Sequence, residues 1–215
     1  MLGDIIQTQV WKGYGIAAGV LGSIVTQYRP TSAVNPMAPG NIVSLTLPAV
    51  FDATPYKFNK PNLYGQPVWY ALIDATGVRA GDYLVNATDT YFVAALQHLL
   101  PIACVQTNRV LNVLRPASPG GFGPVGYQGD DKANEVVIMT GWPGSMITKS
   151  RGERNDVGLP GDVKVAVYEF LLPAIAGVDI LYTDVITDNH GRRYKISSVE
   201  LSDLGWRILA MLAMA

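Results

Sequence analysis

The sequence predicts a mainly β protein, built from hairpins into β-sandwich or barrel-like modules and preceded by an N-terminal helix or arm. Short β-branched and aromatic runs recur along the chain. Turn-forming residues separate these runs, since 22 glycines and 14 prolines occur among 215 residues. The one long segment with helical spacing lies at the N-terminus. Short strands punctuated in this way are typical of a sandwich or a barrel.

The first segment predicts an amphipathic helix or docking arm that ends near Gly19. Glycine weakens its second half, because glycine is a poor helix former. The apolar residues near helical spacing are Leu2, Ile5, Ile6, Val10 and Trp11. A strand is expected from Ser23 to Arg29, and the three prolines of 30–40 predict a loop.

From there the chain has the pattern of β structure, with the clearest alternation at 43–47. The predicted strands are 43–47, 83–86, 91–96, 102–114, 136–140, 146–150, 163–171, 184–187 and 193–198. The segment 206–214 stays open. Its leucine, alanine and methionine favour a helix, whereas its position after a hairpin favours a strand.

Two predicted hairpins resemble each other. In the first, 82–86 is followed by a polar turn and by a strand that begins near Tyr91. In the second, 184–188 is followed by a turn and by a strand that begins near Tyr194. The turns differ in length by one residue, so we interpret the similarity as a shared hairpin style and not as a repeat.

Four regions are expected along the chain. Residues 1–30 hold the helix or arm and the first strand, and 31–116 form a β-rich module. A Gly/Pro-rich loop or linker is expected at 117–135. Residues 136–215 form a second β-rich part with a C-terminal hairpin, either as a separate unit or in one domain with 31–116.

The chain carries few charges, with 16 basic and 17 acidic residues, or 15% of the sequence. A soluble domain has about 25%. High hydrophobicity excludes a disordered chain, and the net charge of -1 argues against a dedicated nucleic-acid binder. The shortage of charge indicates that some of the surface is buried against neighbouring subunits.

No membrane span is predicted, because the longest weakly polar stretch, 15–25, is well short of the roughly 20 residues that a spanning helix needs. Asp4 lies where a secretory leader would be basic, so synthesis inside the cell is expected.

The sequence offers no pattern for catalysis, a cofactor or a metal. Cys104 lies in an apolar run, which predicts a buried, inert thiol. His98 is expected at a strand boundary or in the core, and His190 in a hairpin turn. Residues 13–18 fit the loosest dinucleotide-binding pattern, but they lack the preceding buried strand and the acidic residue about 20 positions later. A non-enzymatic protein is therefore expected.

Several runs resemble small structural proteins of tailed bacteriophages. These runs are Gly81–Val85, Thr90–Ala94, Leu100–Arg109, Arg115-Pro116, Asp184–Asp188, Gly191–Tyr194 and Leu204–Arg207. The C-terminal runs resemble the β-hairpin module of phage neck and tail-completion proteins. This resemblance implies a virion protein made in the host cytoplasm, a ring-forming subunit of the head-to-tail connector or the tail. It implies portal and other neck or tail proteins as partners, and sequence-independent contact with DNA in the channel.

Assembly contacts are expected from three places: the arm, the glycine-rich loop and the last hairpin. Their candidate residues are Ile5, Ile6, Val10, Trp11, Phe122, Tyr127, Arg192 and Arg193. The alternative for the basic residues at 149–154 and 192–195 is that they lie in solvated turns. A β-rich adhesion or carbohydrate-binding module is the alternative function, with Trp11, Trp69, Trp142 and Trp206 as stacking platforms. A hydrolase that uses His98 or His190 is a further alternative.

Overall fold

The computed structural model describes residues 2–52, 65–116, 135–149 and 166–213. Strands make up 52% of the described residues and helix 15%, which confirms the predicted β class with barrel-like modules and an N-terminal helix. Helix α1 spans Leu2–Leu21. The strands are β1 (Ser23–Tyr28), β2 (Ile42–Asp52), β3 (Val68–Leu72), β4 (Tyr83–Val85), β5 (Thr90–Ala95), β6 (Ile102–Gln106), β7 (Arg109–Arg115), β8 (Val136–Lys149), β9 (Val167–Leu172), β10 (Val185–Asp188), β11 (Arg193–Ser202) and β12 (Gly205–Leu212).

These strands form two closed antiparallel barrels of six strands each. The order is β1-β2-β3-β6-β5-β4 in barrel 1 and β7-β8-β9-β12-β11-β10 in barrel 2. The two orders are the same when β7 is placed on β1 and each later strand on its counterpart. Closure gives every strand two neighbouring strands, so neither sheet ends in an edge strand.

The two barrels also match in register. The β5–β6 ladder slips between Val93 and Ala95, and the β11–β12 ladder slips between Ile196 and Ser198, at the corresponding residues. The two slips in the β1–β2 ladder recur in the β7–β8 ladder. A bulge changes which residues face each other, so matching bulges fix a residue-by-residue correspondence between the barrels.

The two similar hairpins of the sequence lie at the same place in their barrels, as β4–β5 and β10–β11. Tyr91 and Tyr194 are counterparts, and each makes an edge-on contact with an aromatic ring that lies two strands away in the same barrel. The ring centroids lie 6.0 Å apart for Trp69 and Tyr91, and 5.2 Å apart for Tyr168 and Tyr194. The shared hairpin style therefore belongs to a repeated structural unit.

Each barrel contains an equivalent ion pair between an arginine and an aspartate. The arginine is the last residue of the first strand of its barrel or directly follows that strand. Arg29 donates from Nε and Nη2 to the carboxylate of Asp82, at 2.9 and 2.7 Å. Arg115 donates in the same way to Asp184, at 2.8 and 2.9 Å. These hydrogen bonds raise the pKa of both arginines. The correspondence thus extends from the backbone to side-chain chemistry.

The surroundings of the two pairs correspond as well. The arginine Nη2 also donates to the carbonyl of Gly77 in barrel 1 and of Asp179 in barrel 2, both at 2.7 Å. Each aspartate accepts a further hydrogen bond from the backbone N–H three residues before it, from Arg79 or from Leu181. Both carboxylates are buried, so each is satisfied by charge-assisted hydrogen bonds.

The predicted division of the chain differs from the observed one. Residues 102–114 form two strands, β6 and β7, which belong to different barrels and are joined by Thr107 and Asn108. The boundary between the modules therefore lies at 107–108 and not at 117–135. Apolar residues on both sides of a two-residue connection give one continuous pattern, which conceals the change of barrel.

Three further strand expectations are corrected or resolved. The segments 136–140 and 146–150 are not separate, because β8 pairs with β7 through Trp142, Pro143 and Gly144. Strand β3 was absent from the expected set. The open segment near the C-terminus is strand β12.

Side chains of β4–β6 alternate between two cores. Inward-facing residues fill the core of barrel 1, and outward-facing residues join the core of barrel 2. The inward set is Leu84, Tyr91, Val93 and Cys104, and the outward set is Tyr83, Phe92, Ala94 and Val105. The hydroxyl of Tyr83 donates to the carbonyl of Pro143 at 2.7 Å. Burial raises the pKa of Tyr83 well above its ordinary value. The structure therefore has two cores, and the core of barrel 2 is shared because it includes residues of both barrels.

Helix α1 packs on barrel 1, against β2, β3 and the short helical turn Ala75–Gly77. Its glycines permit a close approach. A Cβ at Gly15 would lie 2.8 Å from the Cβ of Asp74, and one at Gly22 would lie 2.4 Å from the carbonyl oxygen of Ala49. The glycine that lowers helix propensity in this segment therefore allows the helix and its following turn to lie against the barrel.

Candidate assembly surfaces

The four residues predicted for the N-terminal arm lie on different sides of α1. Ile5 and Ile6 are 60% and 45% exposed. Val10 and Trp11 are half-buried, and Trp11 packs against the core of barrel 1. The arm is therefore docked on its own chain through Trp11, whereas the two isoleucines remain available to a neighbour.

The side of α1 that faces away from the barrel carries exposed apolar residues near both of its ends, with the exposed Gln9 and Lys12 between them. We define the α1 outer face as Ile5, Ile6, Ile16 and Val20. Ile16 is 73% exposed and Val20 is 80% exposed. Ile16 and Val20 are four residues apart, about one helical turn, so they lie on the same side of the helix. Lys12 lies one turn before Ile16. Isolated exposed leucines or isoleucines are ordinary, but several on one helix face indicate a contact surface.

The start of α1 is anchored on the β5–β6 loop. The side-chain oxygen of the buried Gln7 accepts a hydrogen bond from the backbone N–H of Leu99. Leu99 has a φ of 57°, a left-handed conformation that branched side chains rarely adopt. Leu99 and Leu100 are each 51% exposed. His98 lies in a turn within this loop and is exposed, so the expectation of a strand boundary or a core position is wrong.

The last predicted site lies in the β10–β11 hairpin. Arg193 forms a bidentate ion pair with Glu135, whereas the side chain of Arg192 is exposed. Asp188 accepts hydrogen bonds from the backbone N–H groups of His190 and Arg192, at 3.0 and 2.9 Å. His190 therefore lies in a turn. Phe122 and Tyr127, the candidates of the glycine-rich loop, lie outside the described residues.

A polar groove of about 990 Å³ lies where the two barrels meet. Asn108, in the connection between the barrels, donates to the carbonyl of Met146 and accepts from its N–H, each at 2.9 Å. Gln106 bridges the indole of Trp69 and the carboxylate of Asp89, at 3.1 and 2.9 Å. Asn108 thus fixes the connection between the barrels against β8 of barrel 2, whereas the contacts of Gln106 lie within barrel 1.

The side chains considered for catalysis, metal binding or sugar binding are either buried in the fold or lie apart from one another. Burial raises the pKa of the Cys104 thiol, which keeps it protonated. In the described ranges, no three histidine, cysteine, aspartate or glutamate residues lie close enough to hold a metal ion. Trp142 and Trp206 are buried, so they offer no platform for a sugar ring. Across the described part of the chain, no helix combines the length and the apolar character that crossing a bilayer requires.

Comparison with known proteins finds no match among protein-family models, curated proteins or solved structures. The fold consists of two six-stranded antiparallel barrels with the same strand order, in tandem, with an N-terminal helix on the first.

The sequence-based candidates omitted the most exposed part of α1. Ile16 and Val20 lie one turn apart in the glycine-rich half of the segment, where the expected helix was weakest. The four-residue spacing between Ile16 and Val20 was the signal in the sequence that could have identified them. Ile24, at the start of β1, is also 56% exposed.

Proposed function

We propose that this protein is a non-enzymatic structural subunit of a tailed-phage virion, which forms a ring in the head-to-tail connector or the tail and joins adjacent components. The observation that carries the proposal is the apolar outer face of α1, with Ile16 and Val20 exposed on a helix that is already docked. Large apolar surfaces on a folded monomer favour burial against a neighbouring subunit.

The architecture supports the same role. Two closed barrels that share a core form a body without an edge strand, which suits a component that must hold its shape. The low content of charged residues, 15%, agrees with a surface that is partly covered in the assembled state. The exposed Arg192 would serve a sequence-independent contact with DNA phosphates in a channel.

The test is the mass of the purified full-length protein, measured by light scattering, alone and mixed with candidate portal and tail proteins. We expect a multiple of the 23.1 kDa chain mass, or a stable complex with one of these partners. A protein that remains monomeric alone and in every mixture contradicts the proposal. Binding on a glycan array by that same monomer would favour the carbohydrate-binding alternative.

A further inference from the structure

Strands β2 and β8 are equivalent, and each pairs with two different strands along its length. In β8, residues 136–144 pair with β7 and residues 145–149 pair with β9. In β2, residues 42–49 pair with β1 and residues 50–52 pair with β3. The first part of each strand therefore has a second backbone edge that no described strand of its own barrel uses.

In barrel 2, an extended segment of the loop after β1 covers this edge of β8. Asn35 donates from its backbone N–H to the carbonyl of Thr140 at 2.9 Å, and Thr140 donates from its N–H to the carbonyl of Ala33 at 3.1 Å. These bonds form a parallel bridge between Val34 and Thr140. The indole of Trp142 also donates to the carbonyl of Ala33, at 2.7 Å. Addition of an extended segment to a sheet edge is a recurring mode of peptide recognition.

The equivalent edge of barrel 1 is bare. The matching bulges make Leu45 the counterpart of Thr140, and Val43 likewise corresponds to Ile138. Ile138 packs against the core of barrel 2, and Thr140 is half-buried. In contrast, Leu45 is 62% exposed and Val43 is 46% exposed. Among the residues that the structure describes, none pairs with 42–48 on the side away from β1. We define this side of residues 42–48 as the β2 edge.

Helix α1 leaves the β2 edge accessible. Gly22, which follows the helix, lies against Ala49, beyond the end of this edge. From there the helix passes Asp74 and reaches the β5–β6 loop at Leu99. Four of the five residues 42–46 are exposed. The helix thus meets β2 near Ala49 and does not cover the start of the strand.

The segment that fits the β2 edge is extended and uncharged. The loop that covers β8, residues 30–41, carries no charged side chain, and neither do residues 42–48. Charged side chains protect a sheet edge against added strands, so their absence on both sides favours pairing. Within each copy of the chain, the loop at 30–41 is already bound to β8. The occupant of the β2 edge therefore belongs to a different protein.

We propose that the β2 edge binds an extended, uncharged segment of a partner protein of the virion, which adds a parallel strand beside Leu45 as residues 33–35 do beside Thr140. This inference rests on the proposed joining function and specifies one of its contacts. The exposed side chains of Val43 and Leu45 then become covered, as Ile138 is covered in barrel 2.

One variant and one matched control test the β2 edge in the full-length protein. Leu45→Lys places a charge beside the edge, as natural proteins do to prevent strand addition. Leu201→Lys is the control, because Leu201 is 56% exposed on β11 of barrel 2 and is not part of the β2 edge. Circular dichroism verifies that both variants are folded.

The first measurement uses a synthetic peptide with the sequence of residues 30–41, the segment that covers the equivalent edge of β8. Hydrogen exchange of the full-length protein is followed by mass spectrometry with and without an excess of this peptide. We expect the peptide to slow exchange in the fragment that contains residues 42–48, in wild type and in Leu201→Lys. This protection should be lost in Leu45→Lys. Unchanged exchange in wild type, or equal protection in Leu45→Lys, overturns the β2 edge as a binding site.

The second measurement is light scattering of each protein, alone and mixed with candidate portal and tail proteins. We expect wild type and Leu201→Lys to form a stable complex that Leu45→Lys does not form. A complex that Leu45→Lys retains overturns the role of the β2 edge but leaves the joining function intact. If Leu45→Lys instead loses a self-association of wild type, the occupant is a second copy, which overturns the choice of partner. A wild type that neither self-associates nor binds these proteins overturns the proposed function as well.

Discussion

The two buried aspartates are the residues on which each barrel's first strand depends. Asp82 is 1% exposed and Asp184 is fully buried. Each accepts two hydrogen bonds from an arginine side chain and one from a backbone N–H. An arginine that donates two hydrogen bonds to one carboxylate fixes both the position and the orientation of that carboxylate. The same arrangement in two barrels with little sequence in common indicates that it fixes the end of β1 and β7.

Removing one charge of this pair should be costly. We expect Asp184→Asn to lower the free energy of unfolding by about 2 kcal/mol, because the buried side chain then loses its charge-assisted hydrogen bonds with Arg115, which is itself one-third exposed. Asp82→Asn should cost a similar amount in barrel 1. The measurement is urea unfolding followed by fluorescence. The control is Asp179→Asn, whose exposed side chain should change stability by about 0.5 kcal/mol or less. Equal effects at 179 and 184 would contradict the role of the pair.

At this scale the sequence showed the aspartates but not their partners. The similarity of the two hairpins was visible, and it included Asp82 and Asp184. The arginines lie 53 and 69 residues away along the chain. Contacts over such separations depend on barrel closure, which no local pattern specifies. The Arg-Pro dipeptides at 29–30 and 115–116 were the remaining signal.

At the scale of elements, the β11–β12 hairpin depends on one glycine. Gly205 begins β12 with a φ of 107°, and a Cβ there would lie 2.4 Å from the carbonyl oxygen of Leu172. Gly191, in the turn before β11, has a φ of 75° but open space around its Cα. The two glycines therefore separate the cost of backbone conformation from the cost of a backbone clash.

We expect Gly205→Ala to lower the free energy of unfolding by at least about 3 kcal/mol, because both backbone strain and the clash with Leu172 contribute. Gly191→Ala should cost only about 1 kcal/mol, from strain alone. Thermal and urea unfolding of both variants give the comparison. If the two substitutions cost the same, the close approach at Gly205 is not what constrains the hairpin.

Most elements could be predicted from the sequence, and the failures share a cause. Helix α1 and the strands around Tyr91 and Tyr194 follow from local spacing. The division between β6 and β7 does not, because their short connection carries no glycine or proline. The sequence predicted two strands where β8 is one, for the opposite reason. The glycines and proline at 141–144 are typical of a break between strands, but in the structure this segment pairs with β7.

For the whole molecule, the shared core predicts that the barrels unfold together. Phe92 and Tyr83 of barrel 1 are buried with Trp142 of barrel 2, so separating the barrels exposes a large apolar surface. We expect scanning calorimetry to show one transition, with equal calorimetric and van't Hoff enthalpies. Two resolved transitions in wild type would contradict this coupling.

A single substitution should uncouple the barrels. Phe92→Lys places in barrel 1 the residue that barrel 2 carries at the same position, Lys195. A charge in the shared core is unfavourable, so the barrels should separate into two transitions at lower temperature. Retention of one transition at the wild-type temperature would show that the interface around Phe92 adds little.

Equivalent positions in the two barrels can be compared to separate the demands of the barrel from those of the contact between barrels. Backbone demands are equal at Phe92 and Lys195, since both lie beside the same bulge in the same ladder. Only their neighbours differ. Sequence drift among relatives should therefore be narrow at 92, where aromatic or aliphatic bulk fills a crevice, and broad at 195. A position that varies freely in one half and stays fixed in the other marks where contact between modules, and not the barrel itself, dictates the residue.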